Sequence, residues 1–250
     1  MNTGKNIYFV SDAHLGFPNA KASMEREKKL VRWLDSIKNQ TKELYLMGDI
    51  FDFWFEYKKV VPRGFTRFLG KIAEFTDAGI PVYFFTGNHD IWVFKYLPEE
   101  TGIIKQTEPV VKEFDGKTFF IGHGDGLGPY DKAFKRLKWI FKGKFFQWLF
   151  HRFHPNFGIT IAHSWSRKSR YSKPDPMKEK IVHEEEWLVM YSRTVLKTQS
   201  VDYFVFGHRH IPMQYKLDEK STMINLGDWI NNFSYGIWDG EKFHLEKFTG

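Results

Sequence analysis

YFVFGHRH, residues 203–210, is the stretch whose reading decides the fold. Tyr203 to Phe206 is apolar at every position and too short for a helix, so it reads as a strand buried on both faces. Gly207 ends the run, and His208 and His210 follow one residue apart. In extended backbone those two imidazoles point the same way. Taken alone, the pair fits either solvated surface histidines or a metal grip.

The same arrangement recurs along the chain. Ile7–Val10 precedes SDAH, Leu44–Met47 precedes GDIFD, Val82–Phe85 precedes TGNHD, and Phe119–Ile121 precedes GHGD. Helical periodicity lies between the early runs. Leu30, Val31, Leu34 and Ile37 share one face of Glu25–Ile37, and Phe65, Phe68, Leu69, Ile72 and Phe75 repeat likewise. Strand–helix alternation predicts an α/β layered fold. After residue 210, Met213–Leu217, Thr222–Leu226, Ser234–Trp238 and Phe243–Phe248 are short runs split by turns such as Asp239-Gly240. They predict a mainly antiparallel sheet, and the whole predicts two sheets with flanking helices in a single domain over residues 1–250.

The chain has 250 residues and no Cys, which excludes a disulfide framework and a thiolate metal site. The N-terminal apolar run is too short for a signal peptide, and no stretch of eighteen apolar residues occurs. A cytoplasmic protein is expected. The net charge of +7 is uneven: Leu127–Lys180 holds 13 Lys/Arg against 3 Asp/Glu, a local +10, and the remainder is −3. This basic segment, about 127–180, reads as a helical insertion. Phe134, Leu137, Phe141, Phe145 and Trp148 form an apolar stripe beside Lys135, Lys138 and Lys142, and a second helix is expected from about Ile159 to Arg170. Such aromatics either pack onto the core or, beside so much positive charge, meet an anionic membrane surface or ligand.

Five strand ends deliver Asp12 and His14, then Asp49, then Asn88, His89 and Asp90, then His123, then His208 and His210. Each has an ordinary explanation taken singly: Asp12 as a helix cap, Asp49 and Asn88 as turn residues, His123 as a satisfied buried histidine. Five turns of this kind together favour a metal site. Asp, Asn and His without thiolate suit Mn, Fe, Co, Ni or Zn held for catalysis. Seven ligands exceed what one catalytic ion can use with a position left open. They suit two ions about 3.5–4 Å apart sharing a carboxylate, an arrangement that serves phosphoryl displacement.

In this order, SDAH, GDIFD, GNHD, GHGD and GHRH resemble the signature blocks of the calcineurin-like metallophosphoesterases. The resemblance implies a four-layer α/β/β/α sandwich and a dinuclear centre. By motif, Asp12, His14, Asp49 and His210 would hold one ion. Asp49, Asn88, His123 and His208 would hold the other, with Asp49 bridging and Mn²⁺ the expected metal. His89, oriented by Asp90, would stabilise the transition state or protonate the leaving group. More narrowly, the size, the basic insertion, Asp131 six residues after Asp125, and INLGDW are similar to the UDP-2,3-diacylglucosamine pyrophosphohydrolases of lipid A biosynthesis. That likeness implies hydrolysis of a nucleotide-activated glycolipid to UMP and a diacylglucosamine 1-phosphate at the cytoplasmic face of a membrane. Asn88, His89, Asp131, Arg167, Ser169, Arg170 and His208 would contact substrate, with Phe141, Phe145, Trp148, Phe150 and Phe153 walling an acyl slot. One residue departs from the best-known branch, which has Arg where this chain has His89, and only Arg clamps a phosphate bidentately. The rival functions are a phosphodiesterase acting on another nucleotide or nucleic acid, and a scaffold without catalysis. Nucleic acid is not the expected partner, no obligate protein partner is evident, and a scaffold would be expected to lose ligands that are all present here.

Overall fold

In the computed structural model, which describes residues 5–128, 132–161, 164 and 183–250, every one of the five apolar runs is a strand. They are β1 (Asn6–Val10), β2 (Thr41–Leu46), β3 (Val82–Phe85), β6 (Lys117–Ile121) and β7 (Tyr203–Phe206). The short β4 (Ile104–Gln106) and β5 (Val110–Phe114) add two strands that the apolar runs did not announce. β8 (Pro212–Lys216), β9 (Thr222–Leu226), β10 (Ser234–Trp238) and β11 (Phe243–Lys247) complete the set. One sheet runs β11-β10-β1-β2-β3-β4 and the other β5-β6-β7-β9-β8.

The tail does not form a sheet of its own. β9 pairs parallel to β7 and antiparallel to β8, so both extend the second sheet. β10 lies antiparallel to β1 and carries β11 at the edge of the first. The antiparallel expectation holds for the β8–β9 and β10–β11 hairpins and fails for the tail as a unit, because β7 and β1 each offer a free edge.

Three apolar layers explain why the strands read as continuous runs. Tyr8, Val10, Leu44, Leu46, Val82 and Phe84 face Leu30, Trp33, Leu34, Phe68, Ile72 and Phe75, which belong to α1 (Ala20–Ile37) and α2 (Thr66–Asp77). The alternate residues Ile7, Phe9, Tyr45, Met47 and Phe85 meet Phe119, Ile121, Val205, Ile224 and Leu226 between the sheets. On the far side Phe120, Phe204, Phe206 and Met223 pack on Leu188 and Val189. With both faces of each central strand covered, period-two alternation disappears. The result is the expected α/β/β/α layering. On α1 the buried set includes Trp33, with Val31 only partly covered.

Between β6 and β7 the chain forms α4 (Lys132–Lys142) and α5 (Lys144–Phe150), a helical stretch α6 at residues 155–161, and α7 (Trp187–Leu196). α3 (Tyr96–Thr101) precedes β4. Gly143 divides what the aromatic stripe suggested as one helix. Phe141, Phe150 and Ile159 pack against Phe53, Phe55 and Trp92. In contrast, Phe145 is 65% and Trp148 53% exposed. The residues expected to wall one slot therefore divide between a packed face and an open one. Most of the helix expected at Ile159–Arg170 lies outside the described residues.

Candidate metal centre

The turns after β1, β2, β3, β6 and β7 lie at the carboxyl ends of parallel strands, where ligand sites of α/β sheets form. Their backbone is unusual. Asp12, His14, Asp49, His208 and His210 have φ between 42° and 68°. That is left-handed territory which L-residues enter only when their surroundings enforce it. Such strain at five converging side chains marks a site built for position.

The neighbourhood enforces it in identifiable ways. Arg26 of α1, buried, donates from Nη1 to the carbonyls of Ala13, His14 and Phe17 at 2.9–3.2 Å. Asp12 Oδ2 accepts from Ser11 Oγ at 2.5 Å and from the His208 amide at 2.8 Å, which joins the first turn to the last. Asp49 Oδ1 accepts the His89 amide at 2.8 Å. A Cβ on Gly207 would stand 1.9 Å from Ser11 Oγ, so the turn can close only with glycine there.

The side chains converge into overlapping groups. Asp12, His14 and His210 form one, and Asp49, His123 and His208 another, each with ligand atoms within 4.8 Å of one another. Within the first, His210 Nε2 is 3.3 Å from Asp12 Oδ1 and 3.3 Å from His14 Nε2. Asp49 Oδ2 lies 3.7 Å from His14 Nε2 and 3.3 Å from His123 Nε2, between the two groups. His89 also groups with His14 and Asp49.

Electrostatics and unmet valence suit cations here. Asp12, Asp49, Asp52 and Asp90 are each at most 2% exposed. Burial pushes the Asp12 carboxyl up. Burial, and then the charge of Asp49, push Asp90 up to about 7. Burial disfavours the His123 imidazolium, but the Asp49 carboxylate outweighs it and holds His123 up at about 10. Asp49 itself is held below the usual carboxylate range despite its burial, chiefly by His123 and His89. Asp12 Oδ1, Asn88 Oδ1 and His123 Nε2 are buried and make no hydrogen bond. Buried polar atoms without partners are rare, and these three belong to residues of the metal-ligand type. The donor set could hold two divalent ions with Asp49 between them.

The sequence of residues 5–212 matches the family of calcineurin-like phosphoesterases. The chain belongs to that family. It is 38% identical to the UDP-2,3-diacylglucosamine hydrolase of Porphyromonas gingivalis, over 96% of this chain and 97% of that one. The enzyme of the same name from Neisseria meningitidis serogroup B is 27% identical over 98% of this chain and all of its own. Among solved structures, a phosphoesterase from E. coli covers 97% of this chain and 92% of its own, with a TM-score of 0.47 and 13% identity.

In this phosphoesterase the orientation of His89 differs from the expectation. Asp90 does not orient it. The Asp90 carboxylate accepts the amides of Gly87 at 2.7 Å and Ile50 at 2.8 Å, with Asp49 and Phe51 at 3.3 and 3.4 Å. Asp90 thus ties two of the turns together. Asp52 takes the orienting place: its carbonyl is 2.9 Å from His89 Nδ1, and its carboxylate is 3.7 Å from His14 Nδ1.

Two other supports escaped the sequence reading. The Met47 carbonyl lies 2.8 Å from His123 Nδ1, which leaves Nε2 directed toward Asp49. Asp228 Oδ2 lies 3.2 Å from His210 Nδ1, while Oδ1 accepts the amides of Ile230, Asn231 and Asn232. Burial raises the Asp228 carboxyl, but His210 and those amides hold it lower than usual. Asp52 closes the GDIFD block and Asp228 stands in INLGDW. For Asp52 the available signal was a carboxylate in a block that already carries the ligand Asp49, and for Asp228 a carboxylate in a block already singled out by resemblance. Of the expected substrate contacts, His89 and His208 stand at this centre, Asn88 precedes His89 in the same turn with its Oδ1 buried, and Asp131, Arg167, Ser169 and Arg170 lie outside the described residues.

Proposed function

We propose that this phosphoesterase hydrolyses the diphosphate of UDP-2,3-diacylglucosamine, releasing UMP and 2,3-diacylglucosamine 1-phosphate in lipid A biosynthesis. The observation that carries the reading is the end-to-end match to hydrolases of that name, 38% identical over 96% of this chain for the Porphyromonas gingivalis enzyme. Asp12, His14, Asp49 and His210 would hold one ion, and Asp49, Asn88, His123 and His208 the other, with Mn²⁺ the metal we assign. Two divalent ions bound there supply water activation and neutralise charge growing on the phosphoryl oxygens.

The chain's own residues do the rest. The Asp52 carbonyl accepts a hydrogen bond from the Nδ1–H of His89, so Nε2 is the atom that can donate or accept a proton at the scissile bridge. Asp90 holds the Asp49 and Gly87 turns in mutual register. That fixes the His89 amide on Asp49 and so the distance between proton donor and centre. Water adds to one phosphorus and gives up a proton, and the P–O bond of the bridge breaks. The departing phosphate leaves with the electron pair and takes the proton from His89 Nε2, which the water's proton replaces. Asp131, Arg167, Ser169 and Arg170 are assigned to the glucosamine and phosphates.

The segment at about 127–180 is assigned the lipid. Its exposed Phe145, Trp148, Phe153 and Phe157, beside the +10 charge, suit the cytoplasmic face of an anionic membrane. No helix among the described residues is long and apolar enough to cross one. Hydrolysis rates on UDP-2,3-diacylglucosamine, on a generic phosphodiester and on single-stranded DNA test the substrate. Preference for the lipid by orders of magnitude is expected, and equal rates would overturn it. Sedimentation with anionic vesicles should weaken as salt rises, and equal retention on neutral vesicles would remove the electrostatic part.

A further inference from the structure

Arg209 stands between the two histidines of the GHRH turn, and its environment gives it a task the motif does not name. His208 and His210 have φ of 68° and 58°, so the turn is strained on both sides of Arg209 and must be held from outside. His208 is held by Asp12 and His210 by Asp228. Arg209 Nε lies 3.1 Å from both carboxylate oxygens of Glu186. Glu186 is 7% exposed and occupies the N-cap position of α7, yet its side chain does not cap the helix. Ser, Thr, Asp or Asn would serve that position better. The next residue, Trp187, sets its ring 5.5 Å from that of His208. On the other side Gly128 lies next to Trp187, where a Cβ would come into ordinary contact with its carbonyl at 3.4 Å. The chain leaving the GHGD turn and the chain returning at Glu186 therefore meet on the GHRH turn.

With Glu186 buried and Arg209 partly so, the pair adds little net stability compared with apolar residues of similar size, but it ties the turn to the start of α7. We infer that Glu186 and Arg209 are positioning residues, an ion pair that holds the strained His208–His210 turn in the conformation that presents both imidazoles to the metal centre. The inference rests on reading those histidines as ligands. Residues that orient ligands without touching the metal typically change affinity ~10–100-fold when removed.

The test is Mn²⁺ titration by calorimetry on metal-free, full-length protein. Wild type, Glu186→Gln and the double variant Glu186→Met/Arg209→Met are compared. The double variant replaces the pair with apolar side chains and guards against misfolding caused by removing only one partner of the pair. Glu74→Gln, which removes the distant Lys38–Glu74 pair, is the control. Both site variants should bind Mn²⁺ ~10–100-fold more weakly, with the control unchanged. At saturating Mn²⁺, kcat should recover while KM stays at the wild-type value. A folded double variant that binds Mn²⁺ like wild type overturns the positioning role alone. A wild type that binds no Mn²⁺ overturns the metal reading and this inference with it.

Discussion

Gly87→Ala and Gly70→Ala should move stability in opposite directions. At Gly87 an added Cβ would stand 2.2 Å from Asp49 Oδ1 and 2.6 Å from the Asp49 backbone nitrogen. The second contact is with main chain and cannot be relieved by a rotamer change. Ordinary contact needs roughly 3.5 Å, so the Asp49 turn must retreat by about 1 Å. Overpacking of this kind costs about 1–3 kcal/mol. Stretching the bond from the His89 amide to the Asp49 carboxylate loses about 1.5–3 kcal/mol more. A loss near 4 kcal/mol lowers Tm by about 8–16 °C in a chain of this size. Gly70 lies inside α2 with nothing within 4 Å of its added Cβ. Alanine there removes the helix-interior penalty of glycine, about 0.5–1 kcal/mol, and Tm should rise by a few degrees. Calorimetric melts of both variants, with and without Mn²⁺, separate the effects. Gly87→Ala should also lose the shift that Mn²⁺ gives wild type. If Gly87→Ala melts within a degree or two of wild type and keeps its Mn²⁺ shift, the close approach of these turns does not set the site.

Other outcomes follow from the same geometry. His89→Ala should lower kcat by about 10²–10⁴-fold while Mn²⁺ stoichiometry, read by elemental analysis, stays at the wild-type value; loss of metal would make His89 a ligand. Asp228→Asn should weaken Mn²⁺ binding ~10–100-fold by releasing the ring of His210, and unchanged affinity would leave Asp228 a turn residue only. Asp239 is raised by burial, but the Lys242 and Glu241 amides and His244 outweigh that and hold it at about 2. A depressed carboxyl stabilises the fold above its unfolded value, about 4, and that contribution disappears as pH falls toward 2. The Tm gap between wild type and Asp239→Asn should therefore be full at pH 6 and narrower at pH 3; a constant gap refutes it.

The layering was legible because β1, β2, β3, β6 and β7 are buried on both faces, which leaves an uninterrupted apolar run in the sequence. β4 and β5 were not, since Ile104 and Val111 are exposed and three to five residues at a sheet edge carry little pattern. The tail misled because hairpin turns report local pairing and say nothing about which sheet a hairpin joins. At the site, residue types in strand-end turns were enough to gather Asp12, His14, Asp49, His123, His208 and His210. The supports were harder to see. Asp90 sits beside His89 in sequence, but its carboxylate turns back to amides of the Asp49 turn, while Asp52, 37 residues away, holds the ring through its carbonyl. Backbone carbonyls such as that of Met47 have no sequence signature at all.

The most direct measurement is a mass-resolved assay of UDP-2,3-diacylglucosamine with Mn²⁺, run on wild type and on Asp49→Ala. UMP and 2,3-diacylglucosamine 1-phosphate in equal amounts, formed only by wild type and only with metal, are the predicted result. No turnover of this lipid by a wild type that cleaves a generic phosphodiester with Mn²⁺ would contradict the substrate, and equal turnover by Asp49→Ala would contradict the centre.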